Sequence, residues 1–340
     1  MTIRLHRPTR PLARLFLSAF LGFSALASAL APLSSLGAPQ APSSKPPAVP
    51  ASPAALPYRA AIVIDAASGA VLFEHDADRI APPASMTKLM TYLLVHDAVS
   101  RGQLRLDSPI RITAASAAVG GTQVWLRAGE VFSVEELLYA LMLQSANDCA
   151  HALALAVGGT IETFSGMMNA RASELGLTLT RFHNPHGLPP PAPAQRDIAA
   201  GNLSTARNIA ALSRYLVAHT DILRYSATTQ KDFRAGDAKR RVAMRNHNHL
   251  LGRVAGVDGL KTGYTRAAGF CLAATAERGG QRVIAVIMGA PTAKTRDLAM
   301  VELLNAGFTA LATGSAVRNH AAVGSHDAEG QIEFSIPDAK

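Results

Sequence analysis

The chain has one tryptophan, two cysteines and 5% aromatic residues, and 17% of its 340 positions are Asp, Glu, Lys or Arg. Two cysteines, Cys149 and Cys271, cannot build a disulfide framework. Each lies in an apolar stretch, which reads as a buried free thiol rather than half of a bridge. Sparse aromatics, scattered Lys and Arg and no recognisable nucleic-acid module set nucleic acid aside as a partner. There is no His-Glu-x-x-His and no Cys/His cluster, so no metal is expected, and nothing calls for a cofactor. His183, His186, His247 and His249 read as structural.

Acidic residues are absent before Asp65. Arg4, Arg7, Arg10 and Arg14 precede an uncharged apolar run from Leu15 to Ala31 that ends in Ala27-Ser28-Ala29 and Ala29-Leu30-Ala31. A basic start, an apolar centre and small residues at the end make 1–31 a secretory signal peptide, with an uncleaved membrane tether as the other reading. Its removal takes the net charge from +9 to +5 by deleting four arginines. The expected location is the periplasm or cell envelope. Residues 32–57 are rich in Pro, Ala and Ser and read as an extended linker.

The folded part, 58–312, is 49% hydrophobic on the composition of the whole chain, enough for a sizeable core. Ala61–Asp65 and Val71–Glu74 read as a hairpin, and Ile110–Thr113 and Gln123–Leu126 as weak strands. Ser133 with Glu136 is a capping box that opens a helix to Leu143. Helices follow at Cys149–Val157, Thr160–Leu175 and from Ser204, as cap, to about His219. Val257–Tyr264, Phe270–Thr275 and Val283–Met288 suggest an antiparallel meander, followed by a helix over Thr295–Phe308. Together these predict an α+β fold, an antiparallel sheet with helices packed on it. A short tail, 313–340, closes the chain.

Three short motifs carry chemistry. Pro82-Pro83-Ala84-Ser85-Met86-Thr87-Lys88 leads into an uninterrupted helical run, so Ser85 is expected at a helix N-terminus with Lys88 nearly one turn on. A lysine with lowered pKa can take the proton of a serine hydroxyl and make it a nucleophile. Alone, Ser-x-x-Lys arises about once by chance in a chain this long. Ser145-Ala146-Asn147 is a polar break inside an apolar helical hairpin, and polar side chains placed there face a cleft. Lys261-Thr262-Gly263, expected by chance only about 0.1 times, combines a strand glycine with a charge suited to an anion.

In this order the motifs resemble those of penicillin-binding proteins and class A β-lactamases. The match extends to Asn184-Pro185-His186-Gly187-Leu188, Asn246-His247-Asn248-His249-Leu250-Leu251 and Val257 through Thr265, and it is closest to the low-molecular-weight D-alanyl-D-alanine carboxypeptidases over about Tyr58 to Leu311. The resemblance implies a β-lactamase/transpeptidase-like fold with a helical subdomain. It implies Ser85 as nucleophile, Lys88 as general base, Ser145 as proton relay and Asn147 as orienting group. Lys261, Thr262, Gly263 and Tyr264 would bind substrate, with the Ser85 and Tyr264 N–H groups as oxyanion hole, and Lys261 would hold the terminal carboxylate with help from Arg296. The implied partners are peptidoglycan stem peptides and, as covalent inhibitors, β-lactams. Three other readings stand beside the carboxypeptidase. The short tail, with no second domain or basic amphipathic helix, keeps a D-alanyl endopeptidase open. A β-lactamase is disfavoured because Glu162 and Glu174, the glutamates between Asn147 and Lys261, lack an Asn three residues on. A non-catalytic wall-binding module would be favoured by a lost motif residue, and none is lost.

Overall fold

The computed structural model describes residues 56–191, 194 and 197–314. The signal segment, nearly all of the linker and the tail beyond Gly314 lie outside the described residues. Among the described residues no helix is long and apolar enough to cross a membrane.

A hairpin comes first, β1 (Ala60–Asp65) and β2 (Val71–His75). The helical part then holds α1 (Lys88–Ser100), α2 (Ala114–Ala117), α3 (Val134–Met142), α4 (Asn147–Gly158), α5 (Ile161–Glu174), α6 (Ala206–His219) and α7 (Ile222–Ser226). Two small ribbons lie within it, β3 (Pro109–Arg111) with β4 (Val131–Ser133), and β5 (Gln230–Phe233) with β6 (Val242–Arg245). The chain returns through β7 (Val257–Thr265), β8 (Gly269–Arg278) and β9 (Gln281–Ala290) to α8 (Ala293–Thr313). The main sheet has the order β2-β1-β9-β8-β7, every neighbour antiparallel.

Because side chains alternate across a strand, the continuous apolar runs supply two cores at once. Ile62 and Ile64 of β1 and Ile284 and Val286 of β9 face the helical part. Val63, Val283, Ala285 and Ile287 face α8, which covers the other side with Met300, Leu303 and Leu304. α6 lies on the helical face of the sheet, and α1 is packed among α3, α4, α5 and α6. Residues Lys88 through Val95 of α1 are all buried, so the first two turns of this helix have no solvent face.

The antiparallel meander and the capping box at Ser133 are as the sequence predicts. Both cysteines are free and buried. Three local expectations are corrected. Ser85 caps no helix: it sits in a 3-10 turn, Ala84–Thr87, and α1 starts at Lys88. Thr205, not Ser204, caps α6, because the Thr205 hydroxyl accepts from the Asn208 N–H while Ser204 is tied to Thr180 and Ala81. Gln123–Leu126 joins no strand, since its backbone groups are claimed by buried side chains. The β5–β6 ribbon and α7 had no clear sequence signal: most β5 residues are exposed and polar.

Candidate active site

Ser85, Ser145, Thr262, Gly263, Tyr264 and Arg296 line one cleft of about 260 Å³, with Thr122, His247, His249, Phe270 and Ala293 completing it. Lys88 and Asn147 stand behind Ser85, and Lys261 precedes Thr262 on β7. All nine residues singled out from the sequence therefore meet in one place. A larger hollow of about 370 Å³ between the β1–β2 hairpin and α6 holds no comparable set of reactive groups.

Gly263 lets the 3-10 turn lie against β7. A Cβ at this position would come within 2.8 Å of the Pro83 carbonyl oxygen and 3.1 Å of the Ser85 nitrogen. Strand and turn approach backbone to backbone, which only glycine permits here.

Lys88 is fully buried, and its Nζ lies 3.0 Å from Ser85 Oγ, 2.7 Å from Asn147 Oδ1 and 2.8 Å from the His186 carbonyl oxygen. Burial, reinforced by the charge of Lys261, holds its pKa well below the ordinary lysine value, with Asp148 opposing. A neutral amine has two N–H bonds and one lone pair. The amide and carbonyl oxygens can only accept, so they take the two N–H bonds, and the lone pair is left for the Ser85 O–H. The geometry thus aims a base at the hydroxyl.

Two loops supply Lys88's partners. Asn147, the first residue of α4, donates from its backbone to the Thr122 carbonyl and from Nδ2 to the Gly120 carbonyl, which fixes Oδ1 toward Lys88. Asn184 Oδ1 accepts from the His186 and Gly187 N–H groups, and Asn202 clamps the same loop by accepting from His183 and Asn184 while donating to Thr87. Thr91 on α1 donates to the Pro185 carbonyl at 2.6 Å. Asn202 and the His186 carbonyl were not identified from the sequence; the Asn-Pro-His-Gly-Leu segment was the one signal pointing to them.

Asp148 was also missed as a functional position. Its buried carboxylate accepts from the N–H groups of Val124, Leu126 and Cys149, and burial raises its pKa against those hydrogen bonds. Ser145, next in the same turn, has φ +60° and a buried Oγ without a hydrogen-bond partner. A buried, unpaired hydroxyl beside a nucleophile is available to a reacting group.

On the other wall the charge is positive. Lys261 is buried, and burial together with the Arg296 charge lowers its pKa to about 7. Arg296 is 4% exposed rather than a solvated surface group, and its Nε and Nη2 both donate to Asp297 Oδ1, at 2.8 and 2.6 Å. Asp297 also pairs with His249 at 3.0 Å. Burial and neighbouring cations keep His247 neutral, with its pKa down to about 4, and His186 falls to about 3. Among the described residues no three His, Cys, Asp or Glu side chains gather as a metal-holding group. Tyr264, 56% exposed, is stacked on Phe270 with ring centroids 4.2 Å apart. The cleft therefore sets the Ser85 hydroxyl against a buried amine, with a free hydroxyl and buried basic side chains suited to a carboxylate.

Residues 47–292 match the family described as D-alanyl-D-alanine carboxypeptidase. The chain is 34% identical over 251 residues to D-alanyl-D-alanine carboxypeptidase DacF of Bacillus subtilis strain 168, covering 74% of this chain and 62% of that one. It is 37% identical over 257 residues to the carboxypeptidase DacC of Escherichia coli K12, covering 74% of this chain and 61% of that one. The match thus spans about three-fifths of these curated relatives. Among solved structures, the ampicillin-bound form of penicillin-binding protein D2 from Listeria monocytogenes superposes with a TM-score of 0.65 at 31% identity, over 74% of this chain and 98% of the other.

Proposed function

Since the chain belongs to the D-alanyl-D-alanine carboxypeptidase family of serine peptidases, we propose that it removes the terminal D-alanine from peptidoglycan stem pentapeptides through an acyl-enzyme on Ser85. The observation that carries this reading is Lys88 Nζ, buried and depressed in pKa, 3.0 Å from Ser85 Oγ with its other directions occupied by acceptors.

In the first half-reaction Ser85 Oγ bonds to the carbonyl carbon of the penultimate D-alanine while its proton passes to Lys88. The negative oxygen of the tetrahedral species is held by the Ser85 and Tyr264 N–H groups, worth about 3 kcal/mol per donor in comparable sites. Collapse breaks the C–N bond, and the leaving amine takes a proton from Lys88 through the unpaired Ser145 hydroxyl. Asn147 keeps the ammonium and the substrate amide aligned. Lys261, Thr262 and Arg296 bind the terminal carboxylate. Water, deprotonated by Lys88, then attacks the ester and restores Ser85. β-Lactams acylate the same hydroxyl and leave slowly, because neither glutamate between Asn147 and Lys261, Glu162 or Glu174, has an Asn three residues on to help activate water. The site of action is the cell envelope, reached by export on the 1–31 signal.

The test incubates the wild type and Ser85→Ala with pentapeptide monomers and cross-linked muropeptide dimers and reads products by mass spectrometry. Loss of one D-alanine from monomers, absent in Ser85→Ala, is the expected result. Loss of dimers with monomers intact would make the protein an endopeptidase, and no Ser85-dependent product would overturn both.

A further inference from the structure

Trp125, the chain's one tryptophan, is 62% exposed and holds φ +54°. The left-handed region disfavours a bulky residue by roughly 1–2 kcal/mol, so something must hold it there. Two buried charged side chains do. Asp148 accepts from the N–H groups of Val124 and Leu126, and Arg234 donates to the carbonyls of Val124 and Trp125 at 2.8 and 3.0 Å. Arg234 is itself fixed by Glu130 at 2.7 Å and by the rings of Phe132 and Phe233. Val124 and Leu126 are buried, so the rigid segment presents one side chain to solvent, the indole.

The segment begins beside the cleft, where Thr122 is part of the lining. Trp125 follows Thr122 by three positions, at most about 10 Å of chain. In a stem pentapeptide the scissile bond joins residues four and five, while residue one carries the amino sugar. Four extended residues span about 13–14 Å, so the sugar lies at the rim rather than in a cleft of about 260 Å³. The exposed neighbours of Trp125 along the chain, Thr122 and Arg127, are polar, whereas a membrane or protein surface would need a contiguous apolar patch. An isolated, rigid aromatic face instead suits the apolar C–H face of a pyranose.

We propose that Trp125 is a stacking platform for the amino sugar that carries the stem peptide, making it a specificity-determining residue for glycan-attached over free peptide. This rests on the carboxypeptidase reading. The expected result is that Trp125→Ala lowers the ratio of kcat/KM for disaccharide pentapeptide over free pentapeptide about tenfold, mainly through KM, while Trp125→Phe keeps it. An unchanged ratio overturns the proposal. Binding is read separately in Ser85→Ala, where the single indole reports directly. Its emission is expected to shift, saturably, with disaccharide pentapeptide and not with free pentapeptide; no shift, or equal shifts with both, overturns the proposal. If the wild type releases D-alanine from neither substrate, the carboxypeptidase reading falls while this titration still decides Trp125.

Discussion

Lys261 is held near neutrality by burial and by Arg296, and that has a consequence at the scale of one residue. With its pKa near 7 in the free protein, the ammonium that attracts a carboxylate is lost as pH rises. KM for a substrate with a free terminal carboxylate is therefore expected to climb above about pH 7, and substrate binding there takes up a proton. Lys261→Arg keeps its charge through this range. Its activity falls because the larger fork does not fit, but its KM no longer rises over pH 7–9. Steady-state kinetics across that range checks this; a parallel rise in both proteins would place the titration elsewhere.

At the scale of elements, the loop carrying His186 is locked to the serine turn by Gly187. Gly187 has φ +85°, and a Cβ there would lie 1.9 Å from the Ala84 carbonyl oxygen, a backbone atom that cannot step aside. Gly187→Ala must displace the loop and with it the carbonyl that accepts from Lys88. We expect at least a tenfold slower acylation by a fluorescent penicillin, with the far-UV circular dichroism retained. Gly102 is the control: φ is +72° but nothing lies within 4 Å of the added carbon. Gly102→Ala should cost about 1 kcal/mol of stability through strain and leave acylation unchanged. Equal acylation rates in the two variants would show that the His186 carbonyl does not support Lys88.

At the scale of the molecule, the cleft concentrates Lys261 and Arg296 in the interior beside the buried amine of Lys88, both at most 4% exposed. Such a cluster favours anion binding at the expense of stability. The folded pKa of Lys261, about 7, lies below its unfolded value of about 10.4, so between them the unfolded chain binds more protons. Stability from this group therefore rises as pH rises from about 7 to 10, and the penalty is largest below pH 7. Lys261→Met removes the charge at similar volume. It is expected to raise the unfolding free energy at pH 7 by 1 kcal/mol or more, about 2–4 °C in Tm, with the advantage shrinking toward pH 10. Thermal unfolding of both proteins from pH 6 to 10 tests this; a constant difference would remove the ionisation argument.

The sequence by itself determined the reactive groups and the regular elements nearest them. Ser85 and Lys88 are neighbours through one turn, Lys261 through Tyr264 share one strand, and the apolar runs of β8 and β9, set between Gly-containing turns, read as buried strands. Interactions that short are written in adjacent side chains. Only the tertiary structure decided what surrounds them. Lys88 meets Asn147 across 59 positions and the His186 carbonyl across 98, and a main-chain carbonyl has no residue identity to read. Gln123–Leu126 has strand-forming residues, yet Asp148 and Arg234, brought in from elsewhere, take the backbone groups that a sheet would have used. Arg296 is placed in the site by resemblance, and only the packing of α8 against the sheet buries it there. Local chemistry follows from residue type and spacing, whereas hydrogen bonds to backbone and the burial that shifts pKa values exist only once distant segments are packed together.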